Sequence, residues 1–246
     1  MALKASPDKQ ALLLDLQAFD TRLAQLDHRA ASLPELAAIA ELQSRAAILR
    51  STRGEQSGVA ENTQLELSRL EADVKVVEER ITRDTSRLQA SSSVKDVAAL
   101  EQELGALKKR LDDLEEIELA VMERLESEQG TVSATTAELD GVLASIAQTE
   151  SARDQALATI VSERATVVAG RTELQGKLPE DLLALYEKQR SRYGTGASLL
   201  RFGVSQASGV ALLEDELQTI RAAAPDDVLI CPSSDAILVR TDESGL

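Results

Sequence analysis

The sequence predicts a mainly α protein: a long antiparallel coiled-coil helical hairpin followed by a small, β-containing C-terminal head. Three observations predict it. Apolar residues recur at heptad spacing over most of the chain, a serine cluster interrupts the repeat near the middle, and short β-type runs appear toward the C-terminus. Composition agrees. Of 246 residues, 43% are hydrophobic but only 2% aromatic, with no Trp and only 5 Pro. Large aromatics dominate most globular cores, whereas Leu, Ala, Glu, Gln and Arg are the residues of long helices.

The strongest repeat lies in the second half of the stalk. Its sevenfold positions are Val97, Leu104, Leu111, Glu118, Leu125, Val132, Leu139, Ile146, Arg153, Ile160, Val167 and Leu174, with no slip of register. The companion seam begins with Leu100, Leu107, Leu114 and Val121, then weakens to Glu128, Thr135, Val142, Thr149, Ala156, Glu163 and Gly170. An earlier register reads Leu67, Leu70, Val74, Val77, Ile81, a seam Asp84, then Leu88, and Leu16, Phe19, Leu23 and Leu26 open a still earlier one. Ser51 to Gly58 is soft enough to predict a fray or kink. Ser32 before Leu33-Pro34 predicts an N-cap and a helix restart.

Ala90-Ser91-Ser92-Ser93 separates the two long registers, and serine competes for backbone hydrogen bonds at helix ends. A tight reversal there folds the arms into an antiparallel hairpin; one continuous rod that dimerises in parallel is the alternative. Gly176 to Pro179 ends the stalk, and a short helix, Glu180 to Arg192, follows. Val228-Leu229-Ile230 and Ile237-Leu238-Val239 flank a Pro/Ser turn and predict a β-hairpin. The predicted layout is therefore a hairpin stalk over 1–177 with its turn near 90–94, a short helix and linker over 178–200, and a head over 201–246.

Charge and residue usage narrow the function classes. With 42 acidic and 27 basic side chains the net charge is −15, which argues against general nucleic-acid binding, since phosphate affinity needs Lys and Arg. One Cys excludes an intrachain disulfide framework, and one His leaves little for a His-based triad or metal centre. No apolar run is long enough for a membrane span. The opening stretch, MALKASPDKQ, has no signal-peptide core, so a cytoplasmic location is expected. Gly170 to Lys177 has the wrong spacing for a P-loop and lies on a heptad. Gly194-Thr195-Gly196 lacks a third glycine, Ser92-x-x-Lys95 falls in the hairpin turn, and His28 sits between Asp27 and Arg29 on a helix. No constellation of nucleophile, base and orienting group emerges, so the chain is not expected to be an enzyme, and no cofactor is expected.

One segment reverses the charge balance. Between Glu187 and Glu214 there is no acidic residue, while Lys188, Arg190, Arg192 and Arg201 are basic and Tyr186, Tyr193 and Phe202 lie in or beside the segment. Cations interleaved with aromatic rings can hold single-stranded nucleic acid or anchor a protein. Alternatively, the cations cap the short helix's C-terminus while the aromatics plug the head onto the stalk.

Two segments carry a family resemblance. They are Ser92-Ser93-Val94-Lys95-Asp96-Val97 through Leu114-Glu115-Glu116-Ile117 to Glu123, and Leu182-Leu183-Ala184-Leu185-Tyr186-Glu187-Lys188 through Cys231-Pro232 to Arg240. Together they resemble the bacterial family that joins an antiparallel coiled-coil hairpin to a C-terminal four-cysteine zinc ribbon. That ribbon carries a Cys-x-Gly-Cys knuckle and a later Cys-Pro-x-Cys-Gly-Arg-Ile-Leu knuckle. Here the first falls on Ala207-Ser208-Gly209-Val210 and the second on Cys231-Pro232-Ser233-Ser234, so Ala207, Val210 and Ser234 stand at ligand positions and Cys231 alone remains. Structural zinc needs four ligands, which implies a zinc-ribbon-like head without metal. The resemblance implies a scaffold or adaptor with a protein partner; some relatives are associated with an alternative sigma factor, flagellar or secretion machinery, or RNA. The expected function is a non-enzymatic protein–protein interaction scaffold, monomer or homodimer. The alternative is a nucleic-acid-binding protein acting through segment 186–202.

Overall fold

The computed structural model describes residues 3–245. In chain order it holds α1 (Pro7–Ala31), α2 (Pro34–Ala90), α3 (Val94–Gln175), α4 (Glu180–Tyr193), β1 (Ala197–Arg201), β2 (Val204–Ser205), α5 (Glu214–Ala222), β3 (Leu229–Ile230), β4 (Ile237–Val239) and a 3-10 turn at Asp242–Ser244. Two compact units emerge: Glu35–Ser151, and Met1–Pro34 together with Ala152–Leu246.

The first of these units is a helical hairpin. Ser93 accepts the Asp96 amide at 3.4 Å and so caps the start of α3 after the Ser91–Ser93 reversal. Arg80 pairs with Glu103, Arg124 with Glu66, and Arg45 with Glu138 at 2.6 Å, so numbers rise on α2 as they fall on α3. Such exposed pairs set register more than stability. Apolar clusters supply the stability: Leu67 against Val121 and Leu125, and Ala46 against Leu139 and Val142. Seam Asp84 is buried, with Arg80 Nε at 3.7 Å and Arg87 Nη1 at 3.4 Å, and its Oδ2 accepts no hydrogen bond among the described residues.

The predicted kink at Ser51–Gly58 is absent, because α2 runs through it without a break. Gly54 and Gly58 cost helix propensity there, but a helix of 57 residues is carried by its packed turns on either side. The restart at Pro34 is present, yet Ser32 has the opposite role from the one predicted. Its hydroxyl donates to the His28 carbonyl at 2.7 Å, closing α1 rather than opening α2.

In the other unit α1 packs antiparallel on the last turns of α3. Leu26 and Leu33 bury against Ile160, Glu163 holds Arg22 at 2.8 Å and Arg29 at 3.3 Å, and Phe19 lies on Gly170. A Cβ at Gly170 would stand 2.9 Å from the Phe19 ring, so glycine makes that seat. The sheet has the order β2-β1-β4-β3. The predicted β-hairpin is β3 with β4, antiparallel, with Leu229 opposite Leu238. The added pairing is β1 with β4, parallel, Ser198 opposite Leu238, and β1 begins inside the segment read from the sequence as linker. Leu13, Leu16, Leu182, Tyr186, Ile237 and Val239 form one core between helices and sheet. Leu200, Leu212, Ile220 and Cys231 fill the sheet's other side. Lys4 bridges to Asp227, and its ammonium reaches Asp226 at 3.0 Å, tying the N-terminal stretch to the head.

Candidate interaction surface

The cationic, aromatic segment singled out in the sequence divides: Tyr186 turns inward and Arg190 is half-buried, while Lys188, Arg192, Tyr193, Arg201 and Phe202 are exposed. Tyr186, projecting from α4, is fully buried, which removes it as a surface contact. Its hydroxyl donates to Asp20 Oδ2 at 2.6 Å, and both its burial and that bond push its ionisation upward. Asp20 also accepts from Arg171 Nε at 2.7 Å and lies 3.5 Å from Arg190 Nε. Glu187 completes the set, accepting from Arg171 at 2.6 Å and from Arg190 at 2.8 Å. Burial alone would raise the Glu187 carboxyl, but the two guanidiniums outweigh it and hold it below its usual range. The bond to Asp20 likewise raises the ionisation of Arg171.

This network explains where the positive charge goes. Segment 188–213 has no acid of its own, but Asp20 comes to it from α1 and Glu243 from the 3-10 turn, where it meets Arg201 at 3.0 Å. Gln17 of α1 accepts the Gly196 amide at 2.7 Å, so one side of α1 presents Gln17 and Asp20 to both α4 and β1. Gly196 packs flat on the Tyr186 ring, leaving no room for a side chain. Arg190 and Arg192 occupy the last turn of α4, where cations favour the helix dipole, and Gly194 closes the helix in the left-handed region with φ +84°. Tyr186 is therefore a core residue, Arg190 is half-buried against Asp20 and Glu187, and Arg201 meets Glu243 at the exposed surface. Lys188, Arg192, Tyr193 and Phe202 remain on the surface, Arg192 over the Tyr193 ring at 5.3 Å and Arg201 over Phe202 at 5.8 Å.

Phe202 and Gly203 are the two corner residues between β1 and β2. Both have positive φ, +48° and +73°, as a type I′ turn requires. A bulky residue is unusual there, and Phe202 is 74% exposed.

The fold sets a different residue against Cys231 from the ones the knuckle spacing predicts. Ala207 and Val210, placed at ligand positions by the sequence, are both exposed, and Val210 reaches outward from the loop. Ser205 is the residue that meets Cys231, with Ser234 beside it. Burial pushes the Cys231 thiol up, while the Ser205 and Ser234 hydroxyls and the backbone amides at 233–234 bring it down, for a net lowering. A thiol with hydroxyl neighbours does not fit zinc, and no group of three or more His, Cys, Asp or Glu side chains gathers as a metal site among the described residues. No helix among the described residues is long and apolar enough to cross a membrane.

Sequence reasoning missed a different surface. On α3, Leu119 and Met122 are exposed one helical turn apart, off the seam made by Leu114, Val121 and Leu125. Their signal was present in the sequence as apolar residues at non-heptad positions.

The comparisons with known proteins follow the fold. A profile of the CT398-like coiled coil hairpin domain matches residues 16–194. The Mycobacterium tuberculosis protein Rv2229c is 34% identical over 241 residues, covering 98% of each chain. A solved structure from Mycobacterium smegmatis is 31% identical, with a TM-score of 0.86 over 97% of this chain and 100% of that one. CT398 of Chlamydia trachomatis, at 17% identity, has the same fold, with a TM-score of 0.64 over 95% of this chain and 98% of its own. On this match of profile, sequence and fold, the chain belongs to the CT398-like coiled-coil hairpin family.

Proposed function

We propose that the protein is a non-enzymatic scaffold or adaptor that binds a protein partner along the outer surface of its helical hairpin. The observation that carries this reading is the exposed apolar pair Leu119 and Met122, one helical turn apart on a face of α3 that lies off the hairpin seam. The ionisable groups at the head support it from the other side. Asp20, Arg171, Glu187, Arg190 and Tyr186 pair with one another and hold α1, α3 and α4 together, a structural use of charge. The test is capture of partners by the tagged full chain from native lysate, with and without nuclease. A discrete protein retained after nuclease is expected. Loss of all captured material with nuclease would sink the reading in favour of nucleic acid bound through the basic segment 186–202. We place the protein in the cytoplasm on the same reading.

The head is, we propose, ribbon-like with its metal corners replaced: Ser205 and Ser208 repeat the x-x spacing of Cys231 and Ser234. The Ser205→Cys/Ser208→Cys/Ser234→Cys variant is expected to take up one zinc per chain, read by elemental analysis and thiolate absorbance of its cobalt form. Absence of metal uptake in a folded variant would remove the ribbon reading.

A further inference from the structure

We propose that the flank of α3 around Leu119 and Met122 is a docking groove for a basic amphipathic helix of a partner protein. The inference rests on the scaffold reading and names the chemistry of its partner. The groove, about 300 Å³, has Leu67, Leu125 and Met122 along its floor, with Leu119 beside them and Glu123 and Glu126 at its edge. Leu119 is 62% exposed and Met122 48% exposed. Glu115, Leu119, Met122 and Glu126 recur at intervals of four, three and four residues, so they share one stripe of the helix. Two apolar anchors bracketed by carboxylates make up that stripe.

Charge selects the occupant. Between Asp112 and Glu128 there are eight acidic side chains against one basic residue, Arg124, and Arg124 already pairs with Glu66. Asp112, Asp113, Glu115, Glu116, Glu123 and Glu126 are exposed and have no basic partner among the described residues. A second copy of this chain, at net charge −15, would bring like charge to the site. A helix with Lys or Arg flanking an apolar face matches both features, laying its own i, i+3, i+4 anchors over Leu119 and Met122. Met122 is, beside Met1, the chain's only methionine, and an unbranched thioether adapts to varied apolar surfaces. The unpaired carboxylates steer the partner and make association salt-dependent.

The test uses the full chain and three synthetic 18-residue peptides: a Leu/Lys amphipathic helix, a Lys/Ser peptide of equal charge, and a Leu/Glu helix. Binding is read by fluorescence anisotropy across a salt series. The Leu/Lys peptide is expected to bind and to weaken with salt. Its affinity is expected to fall about tenfold or more in Leu119→Ser/Met122→Ser, as for buried anchors. Glu123→Lys/Glu126→Lys, which keeps the apolar floor, is expected to lose binding as well, with far-UV circular dichroism confirming helicity of both variants. Equal binding of the Lys/Ser or Leu/Glu peptide, equal binding to the Leu119→Ser/Met122→Ser variant, or no binding of the Leu/Lys peptide overturns the proposal. A native partner captured equally by wild type and by that variant would retain the scaffold reading while removing this groove.

Discussion

Substituting Gly196 by alanine tests whether the head is held by the contact between β1 and Tyr186. A Cβ at residue 196 would lie 2.4 Å from Tyr186 Cε2, 2.6 Å from Cδ2 and 2.8 Å from Cζ. Carbon atoms pack at about 3.5–4 Å, so ring and backbone would have to part by roughly 1 Å or more. The ring cannot retreat freely: it is fully buried, and its hydroxyl is fixed on Asp20 at 2.6 Å. Overpacking of this kind costs about 1–3 kcal/mol. If the ring swings away to make room, a further ~1.5–3 kcal/mol of charge-assisted hydrogen bonding is at risk. The assay follows from local geometry, since the Ile237 amide donates to the Gly196 carbonyl at 2.9 Å. Hydrogen exchange at Ile237, with urea titration, should show the opening free energy reduced by about 2 kcal/mol. In a Tyr186→Leu background the same Gly196→Ala change should cost little, giving a coupling energy of about 1 kcal/mol or more. Unchanged exchange at Ile237, or strict additivity in the double variant, would refute the argument.

Three further outcomes are expected. The lowered Glu187 carboxyl contributes stability that is fully present above its unfolded value, about 4.3, and is lost as pH falls through its lower folded value; urea midpoints of the head against pH should fall below about pH 4, less so in Glu187→Gln. Asp84→Leu should stabilise the hairpin by about 1 kcal/mol or more, because a buried carboxylate whose Oδ2 accepts no hydrogen bond among the described residues gives way to a packed seam residue while Arg80 and Arg87 stay solvated; thermal unfolding followed at 222 nm reads this. Phe202→Asn should raise head stability by roughly 1 kcal/mol, since asparagine tolerates the left-handed corner, and exchange at the Ser205 amide reports it.

The helices were legible because their information is local and periodic. The heptads place Leu104, Leu125, Leu139, Ile160 and Leu174 in the interior, and all five are buried. The reversal at Ser91–Ser93 was legible from serine's competition for backbone hydrogen bonds. The head was less so. β2 and β3 are two residues long, too short for alternation to show, and the parallel pairing of β1 with β4 joins segments separated by helix α5. At the basic segment the sequence displayed four cations without acids, but Asp20 sits far earlier in the chain and Glu243 well beyond it. Nothing in heptad periodicity marks Asp20 as the acceptor for Tyr186. Conversely, Leu119 and Met122 were visible as off-seam apolar residues and were absorbed into the general acidity of their surroundings.

The discontinuous unit, Met1–Pro34 with Ala152–Leu246, has a consequence for synthesis. The hairpin of α2 and α3 can zip from its own turn as it emerges, each added contact closing only a short loop. Helix α1 leaves the ribosome first, yet Leu13, Leu16 and Leu26 find their partners, Leu174, Leu182 and Ile160, only after more than half the chain has followed. During that interval its apolar face has no cover. A nascent chain stalled before residue 152 would present a folded hairpin and a naked amphipathic helix, the kind of surface that chaperones bind.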